Sequence, residues 1–300
     1  LGLGATLSND LSPASGLSER DSALLALLGA AVRRGAVPLT WVFLAPVGRF
    51  ADPERLLDVA RAAEAHGWDG LFLWDHTLRR ETAEVLDPWV MLGALAAATE
   101  RLRLGPMITP IARRRLIKLA REIVTVDVMS KGRLTLGFGL GVDTSGELSK
   151  FDEVVDPRVR GEMLDEGVPV LAALLAGETV QHRGEHVVVD DVLLGPRSPQ
   201  GDRPPFWFAA RGDARKPLRR ASRYEGVFPL EMDADRYGRL IETVVAERGG
   251  LDGFDIALST TPGEPVADYA RETATWAIHA WPALPDPDAV FEIVTTGPPD

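Results

Sequence analysis

The sequence contains no cysteine among its 300 residues. Disulfides, thiolate nucleophiles, iron–sulfur clusters and zinc–thiolate sites are therefore excluded. Lysine is almost as scarce: Lys118, Lys131, Lys150 and Lys216 are the only four, so the 33 basic residues are overwhelmingly arginine. Basic charge is outweighed by acidic, for a formal net charge of −11. Nucleic acid and anionic membrane are poor partners for such a surface. No apolar run approaches the roughly 18 residues of a membrane span. The nearest, residues 23–32, follows Glu19, Arg20 and Asp21 and precedes Arg33 and Arg34, the wrong flanks for a secretion signal. A cytoplasmic protein is the expectation. Three motifs are also missing: the Gly-rich phosphate turn of a dinucleotide fold, the G-x-S-x-G elbow of a serine hydrolase, and the HxH of metal-dependent barrel hydrolases.

A hydrophobic content of 45% and a charged content of 26% are ordinary for a globular chain. Residues 1–16 are rich in Gly, Ser, Asn and Ala without periodicity and read as disordered, while 18–34 reads as a short helix capped by Ser18. Residues 1–38 are thus expected to be an N-terminal extension, leaving 39–300 for the fold. From Leu39 onward short apolar runs alternate with helical patterns, the signature of a parallel sheet built from βαβ units. Strands are predicted over 39–45, 70–74, 102–109, 133–138, 205–210, 226–230, 255–260 and 274–280. A helical pattern follows each, including one at 266–272, and 182–194 alternates as a hairpin outside the main sheet. Eight strand–helix pairs in order predict a (β/α)8 TIM barrel.

In a barrel the segments that follow the strands converge on one mouth, so that is where chemistry is expected. After strand two come Asp75 and His76, a pair suited to proton transfer or to holding a cofactor, or else an Asp-His turn that caps the next helix. After strand three comes Thr109. Gly137, Gly139 and Gly141 alternate around Leu140, either to let the backbone approach a flat ring or phosphate, or to bend the barrel corner. After strand five come Arg211, Gly212 and Asp213, leading into Arg215, Lys216, Arg219, Arg220 and Arg223. That cluster is either an anion site at a helix start or a solvated helix face. Of five histidines only His76 and His279 are expected at the mouth, on opposite sides, so no metal site is predicted.

Several stretches taken together resemble the luciferase-like monooxygenase family: FLAP (43–46), AEAHGWDGLFLWDH (63–76), TERLRLGPMITP (99–110), KLARE (118–122) running into GRLTLGFGLG (132–141), DPRVR (156–160) with MLDE (163–166), and HRGEH (182–186). The resemblance spans residues 39 to about 281. It implies a barrel oxidoreductase using FMN or the deazaflavin coenzyme F-420 on a small organic substrate. By the same resemblance Asp75 and His76 are catalytic, and Asp75, Thr109, Gly139, Leu140, Gly141, Arg211, Gly212 and Asp213 contact the cofactor. A non-prolyl cis peptide near Met107, a homodimer and, for a monooxygenase, a separate flavin reductase are implied as well. The chain departs from the family in AARGDA (209–214), where an Ala-Gly turn is usual. Phosphate contact would then rest on Arg211 and the backbone. An inactive flavin-binding barrel is the alternative, and a metal-dependent barrel hydrolase a weaker one. The substrate groove is expected from the segments 77–87 and 144–156.

Overall fold

The computed structural model describes residues 38–212 and 214–299. The disordered stretch and helix expected within residues 1–37 lie outside the described residues, as does Asp213.

Eleven strands are present among the described residues: β1 (Leu39–Leu44), β2 (Gly70–Leu73), β3 (Arg103–Pro106), β4 (Thr109–Pro110), β5 (Leu136–Gly139), β6 (Thr179–Arg183), β7 (Val188–Leu193), β8 (Phe206–Arg211), β9 (Gly226–Leu230), β10 (Asp255–Thr260) and β11 (Trp276–Ala280). Nine of them form one parallel sheet in the order β3-β2-β1-β11-β10-β9-β8-β5-β4. A parallel bridge between Leu104 and Leu134 brings the two edges together. β3 and β4 are two pieces of one stave, parted at the Met107–Ile108 peptide, which is cis. Counted by staves, the barrel has the eight the alternation predicts. The antiparallel pair β6–β7 stands apart from it as the expected hairpin.

The helices are α1 (Pro53–Ala65), α2 (Pro88–Ala98), α3 (Leu116–Met129), α4 (Pro157–Leu175), α5 (Arg215–Ala221), α6 (Ala234–Arg248) and α7 (Pro287–Thr296). Four of them open on the dipeptide Asp-Pro: Asp52, Asp87, Asp156 and Asp286 each accept a backbone N–H of the first turn, and proline follows at the first helical position. The aspartate satisfies a donor the helix leaves orphaned, and the proline spends no donor there, an arrangement that contributes about 1 kcal/mol per cap. The helix expected at 266–272 is only a 3-10 turn over Asp268–Ala270. Pro262 and Pro265 remove two donors from this short connection, and the Thr260 hydroxyl bonds the carbonyls of Glu264 and Pro265 instead.

The barrel interior is filled by aromatic rings. Trp41, Phe72, Trp207 and Trp276 interlock, with Trp41 lying 3.5 Å from Phe72 and 4.5 Å from Trp276 between ring centroids. Phe43 and Phe228 form the layer above. Rings this large need room at facing positions. A Cβ on Gly226 would lie 2.6 Å from Cδ1 of Trp207, and one on Gly105 would overlap the Phe72 ring and the Thr135 carbonyl. These glycines are the small half of a large–small packing pair.

Strand alternation also corrects one expectation. Trp276 and Ile278 point inward, so His279 points out, away from the mouth. It is fully buried against Trp68, ring centroids 4.7 Å apart, and its Nδ1 accepts the Gly263 N–H at 3.1 Å. Burial pulls its pKa down to about 4, against an ordinary value near 6.5.

Gly105→Ala and Gly226→Ala should each destabilise the fold by about 1–3 kcal/mol or more. Gly238→Ala, in α6 with nothing within 4 Å of its Cβ, should stabilise it by about 0.5–1 kcal/mol. Urea denaturation of the three variants checks both signs. The unfolded chain protonates His279 below pH ~6.5 and the folded chain only below the value near 4. Stability should therefore be intact above that window and fall through it by on the order of 3 kcal/mol. His279→Leu should flatten that part of the stability–pH curve; an unchanged slope would assign it to carboxylates alone.

Candidate active site

β2 delivers the first residues of the mouth. The Trp74 N–H still bonds the Leu44 carbonyl at 2.9 Å, so strand pairing runs one residue past β2. Trp74 then faces inward beside Phe43, 5.6 Å between centroids, and Asp75 and His76 follow it. β4 ends in a single 3-10 turn, Ile111–Arg113, which presents Arg113 and Arg114 beneath the same rim.

The Asp75 carboxylate is buried and fully occupied. Oδ1 accepts from Arg113 Nη2 at 2.8 Å, both oxygens accept from Arg114 Nη2 at 2.8 Å, and Oδ2 accepts from the Thr109 hydroxyl at 2.7 Å. Arg113 Nη2 also donates to the Asp75 backbone carbonyl at 2.7 Å. Asp75 is thus an anchor for two arginines. Thr109 is fully buried one layer behind the cavity wall, with its hydroxyl spent on Asp75 and on the Trp89 indole N–H at 3.2 Å.

His76 lies in the wall of the mouth with its side chain 20% exposed. Its Nδ1 is 2.5 Å from Oε1 of Glu147. Glu147 is buried, and its other oxygen accepts the Thr77 N–H at 3.0 Å, the Thr77 hydroxyl at 3.2 Å and a close contact from Arg113 Nη1. Burial alone would raise the Glu147 carboxyl, but the hydrogen bonds from His76 and Thr77 and the charge of Arg113 hold it below its ordinary value. An ionised Glu147 accepts, so Nδ1 of His76 carries the proton. Nε2 is left without a protein partner among the described residues. The turn that brings Glu147 here is local: Asp143 Oδ1 accepts the N–H groups of Leu148 and Ser149, and Gly146 adopts φ +78°.

These groups rim a cavity of about 500 Å3 at the ends of the barrel strands. Trp74, Met107, Ile108 and Phe228 give it an apolar wall; Asp75, His76, Glu147, Arg113 and Arg211 supply its polar groups. Gly139, Leu140 and Gly141 line it as expected. The space beside Gly139 is nevertheless taken by the neighbouring stave, since a Cβ there would lie 2.8 Å from Ile108 Cδ1. Close strand packing accounts for that glycine without any ligand. Gly141, at φ +71°, marks the bend that follows β5.

Of the basic run, Arg211 reaches the cavity rim, its side chain more than half exposed and paired with Glu231. The Gly212 N–H is spent on the Leu230 carbonyl at 3.0 Å, so it is not free for an anion. Arg220 and Lys216 pair with Asp165, at 2.6 and 3.4 Å, and Arg219 pairs with Glu247 at 2.7 Å. Lys216, Arg219 and Arg220 form an ion-paired helix face, while Arg211, itself paired with Glu231, lies at the cavity rim. Among the described residues no group of three or more His, Asp or Glu side chains is placed to hold a metal ion, and no helix is long and apolar enough to cross a membrane.

Sequence reasoning missed Glu147, Arg113 and Arg114. Three consecutive arginines at 113–115, following a strand in an acidic chain, were the available signal for the last two. Glu147 sits in an irregular segment with no pattern to mark it. Replacing Arg113 by Met should cost about 3–5 kcal/mol, because Asp75 and Glu147 would stay buried with a partner missing. Chemical denaturation measures this; a loss below about 1 kcal/mol would mean that water replaces the guanidinium.

A family model described as luciferase-like monooxygenase matches residues 33–284. An uncharacterized protein of Mycobacterium tuberculosis is 30% identical over 252 residues, covering 77% of this chain and 88% of the relative. An F420-dependent glucose-6-phosphate dehydrogenase of Microbacterium testaceum is 32% identical over 190 residues, 59% of this chain and 53% of that protein. Among solved structures, the coenzyme F420-dependent tetrahydromethanopterin reductase of Methanopyrus kandleri matches with a TM-score of 0.70. It covers 88% of this chain and 99% of that one at 19% identity, a likeness of fold.

Proposed function

The chain belongs to the luciferase-like monooxygenase family, and on that premise we propose that it is a flavin- or deazaflavin-dependent oxidoreductase acting on a small organic substrate at the barrel mouth. The observation that carries the reading is the His76–Glu147 contact at 2.5 Å in the cavity wall.

The cavity suits a flat conjugated ring. Its volume lies in the range of small-molecule sites. Trp74, Met107, Ile108 and Phe228 would contact the ring faces, the backbone of Gly139–Gly141 would flank it, and Arg211 is the cation available to a phosphate at the rim. The buried Trp74 Nε1 has no partner among the described residues and offers a further donor at this wall. When bound, the cofactor supplies two-electron transfer to or from the substrate.

The protein's own part is the proton. In alcohol oxidation the substrate hydroxyl donates to His76 Nε2, and the imidazolium so formed keeps its Nδ1–H on the Glu147 carboxylate. In carbonyl reduction Nε2 returns the proton to the oxygen. Glu147 fixes the tautomer and stabilises the charged ring, and Arg113 keeps Glu147 ionised. The apolar wall limits water beside the reacting atoms. Such a dyad favours coenzyme F-420 chemistry on an alcohol or carbonyl, in line with the names of the Microbacterium relative and the Methanopyrus neighbour. It disfavours an inactive barrel, which would have no use for a braced histidine with a free nitrogen. Use of FMN would call instead for a separate reductase.

Absorbance titration with F-420 and with FMN tests the cofactor preference, and F-420 should bind more tightly. Against a panel of alcohols and carbonyl compounds, His76→Ala should lower turnover by about 10²–10⁴ with cofactor affinity nearly unchanged. Glu147→Gln should lower turnover less and shift the pH profile. Unchanged turnover in His76→Ala would remove the histidine from the chemistry.

A further inference from the structure

A second cavity, also of about 500 Å3, lies on the other side of the mouth's arginine pair, between the hairpin β6–β7, α4 and the start of α3. Its walls are largely aliphatic, contributed by Leu116 from α3, Met163 from α4 and Val189 from the hairpin. Its polar groups are not balanced. Arg114, Arg115 and His186 all line it, against the single carboxylate of Asp190. Arg114 already meets Asp75 and Glu122, which leaves Arg115 as the cation of this wall.

The hydrogen-bonding of these groups is incomplete in the same place. Arg114 gives Nη2 to Asp75 and Nη1 to Glu122 at 3.4 Å, but its buried Nε has no partner among the described residues. His186 is pinned through its backbone N–H, which donates to Glu166 at 3.0 Å, while its buried Nε2 is equally without a partner. The Arg115 guanidinium makes no ion pair among the described residues either. A buried polar atom left unpaired costs about 1–3 kcal/mol, and Arg114 Nε and His186 Nε2 are two such atoms on one cavity wall, beside the exposed guanidinium of Arg115.

We propose that this cavity is a binding site for a small amphiphilic carboxylate, whose carboxylate completes Arg114 Nε, Arg115 and His186 while its hydrocarbon part lies along Leu116, Met163 and Val189. The site is independent of the cofactor and of His76. An acceptor can take Arg114 Nε without displacing Asp75 or Glu122, so occupation adds a bond to the guanidinium and leaves the mouth network in place. The aliphatic wall selects a chain over a small inorganic anion, and the basic groups select an acid over an alcohol of the same length.

Calorimetric titration of the full chain with octanoate and with octanol tests this directly. Octanoate should bind at least about tenfold more tightly than octanol and raise the melting temperature. Arg115→Glu, at an exposed position, should weaken octanoate at least about tenfold and leave octanol almost unaffected. Val188→Glu, on the exposed face of the hairpin, should do the same without touching the arginines. A terminally brominated octanoate soaked into crystals should place its bromine among Leu116, Met163 and Val189. Equal affinity for the acid and the alcohol, indifference to both glutamate variants, or bromine in the mouth would each overturn the assignment.

Discussion

Two carboxylates lie buried under the mouth of this barrel, and each depends on Arg113. One guanidinium nitrogen serves Asp75, side chain and backbone, and another serves Glu147. An isolated carboxylate at such depth would be driven to take up a proton. With Arg113 and Arg114 present, two negative and two positive groups balance in one small volume. The ionised state of Glu147 is what fixes the direction of its bond to His76. The chemical character of the mouth thus descends from an ion-pair network whose members Arg113 and Glu147 also line the cavity.

That network stands on a floor of aromatic rings. Trp41, Phe72, Trp207 and Trp276 fill the lower barrel, Phe43 and Phe228 the next layer, and Trp74 opens into the cavity. Close-packed rings leave little room for strands to slide. Facing glycines such as Gly105 and Gly226 let the rings sit at full depth. A rigid floor keeps Asp75 and His76, one and two residues past the last strand bond of Trp74, in a defined relation to the arginines that follow β4.

Much of the fold was legible because it is written in local chemistry. Apolar runs alternating with helical patterns marked the staves and the helices between them; which strand residues face inward was not read from the sequence, and His279 was expected at the mouth. His76 was legible for a related reason, since it follows a strand in a fold whose strand ends converge. Glu147 was not, because it reaches His76 across 71 positions through a turn built on Asp143 and Gly146. Sequence order carries no trace of that approach. The basic run after β8 read equally as an anion site or a solvated helix face, and only partners distant in the chain distinguish the two. Asp165 and Glu247, which neutralise much of it, come from α4 and α6, far away in the chain. Thr109 and Asp75 were legible as residues that follow strands, but the hydrogen bond between them joins positions 34 apart and left no mark in the sequence.

Glu147 sets the tautomer of His76, and nitrogen NMR of the imidazole tests this most directly. In ¹⁵N-labelled protein, above the pH at which the ring is charged, Nδ1 should appear protonated, its proton shifted downfield by the Glu147 bond, and Nε2 should carry the lone pair. A neutral ring protonated at Nε2, with Nδ1 bare, would contradict the account, because Glu147 would then not be accepting the imidazole proton and His76 would have no basic nitrogen to offer the mouth.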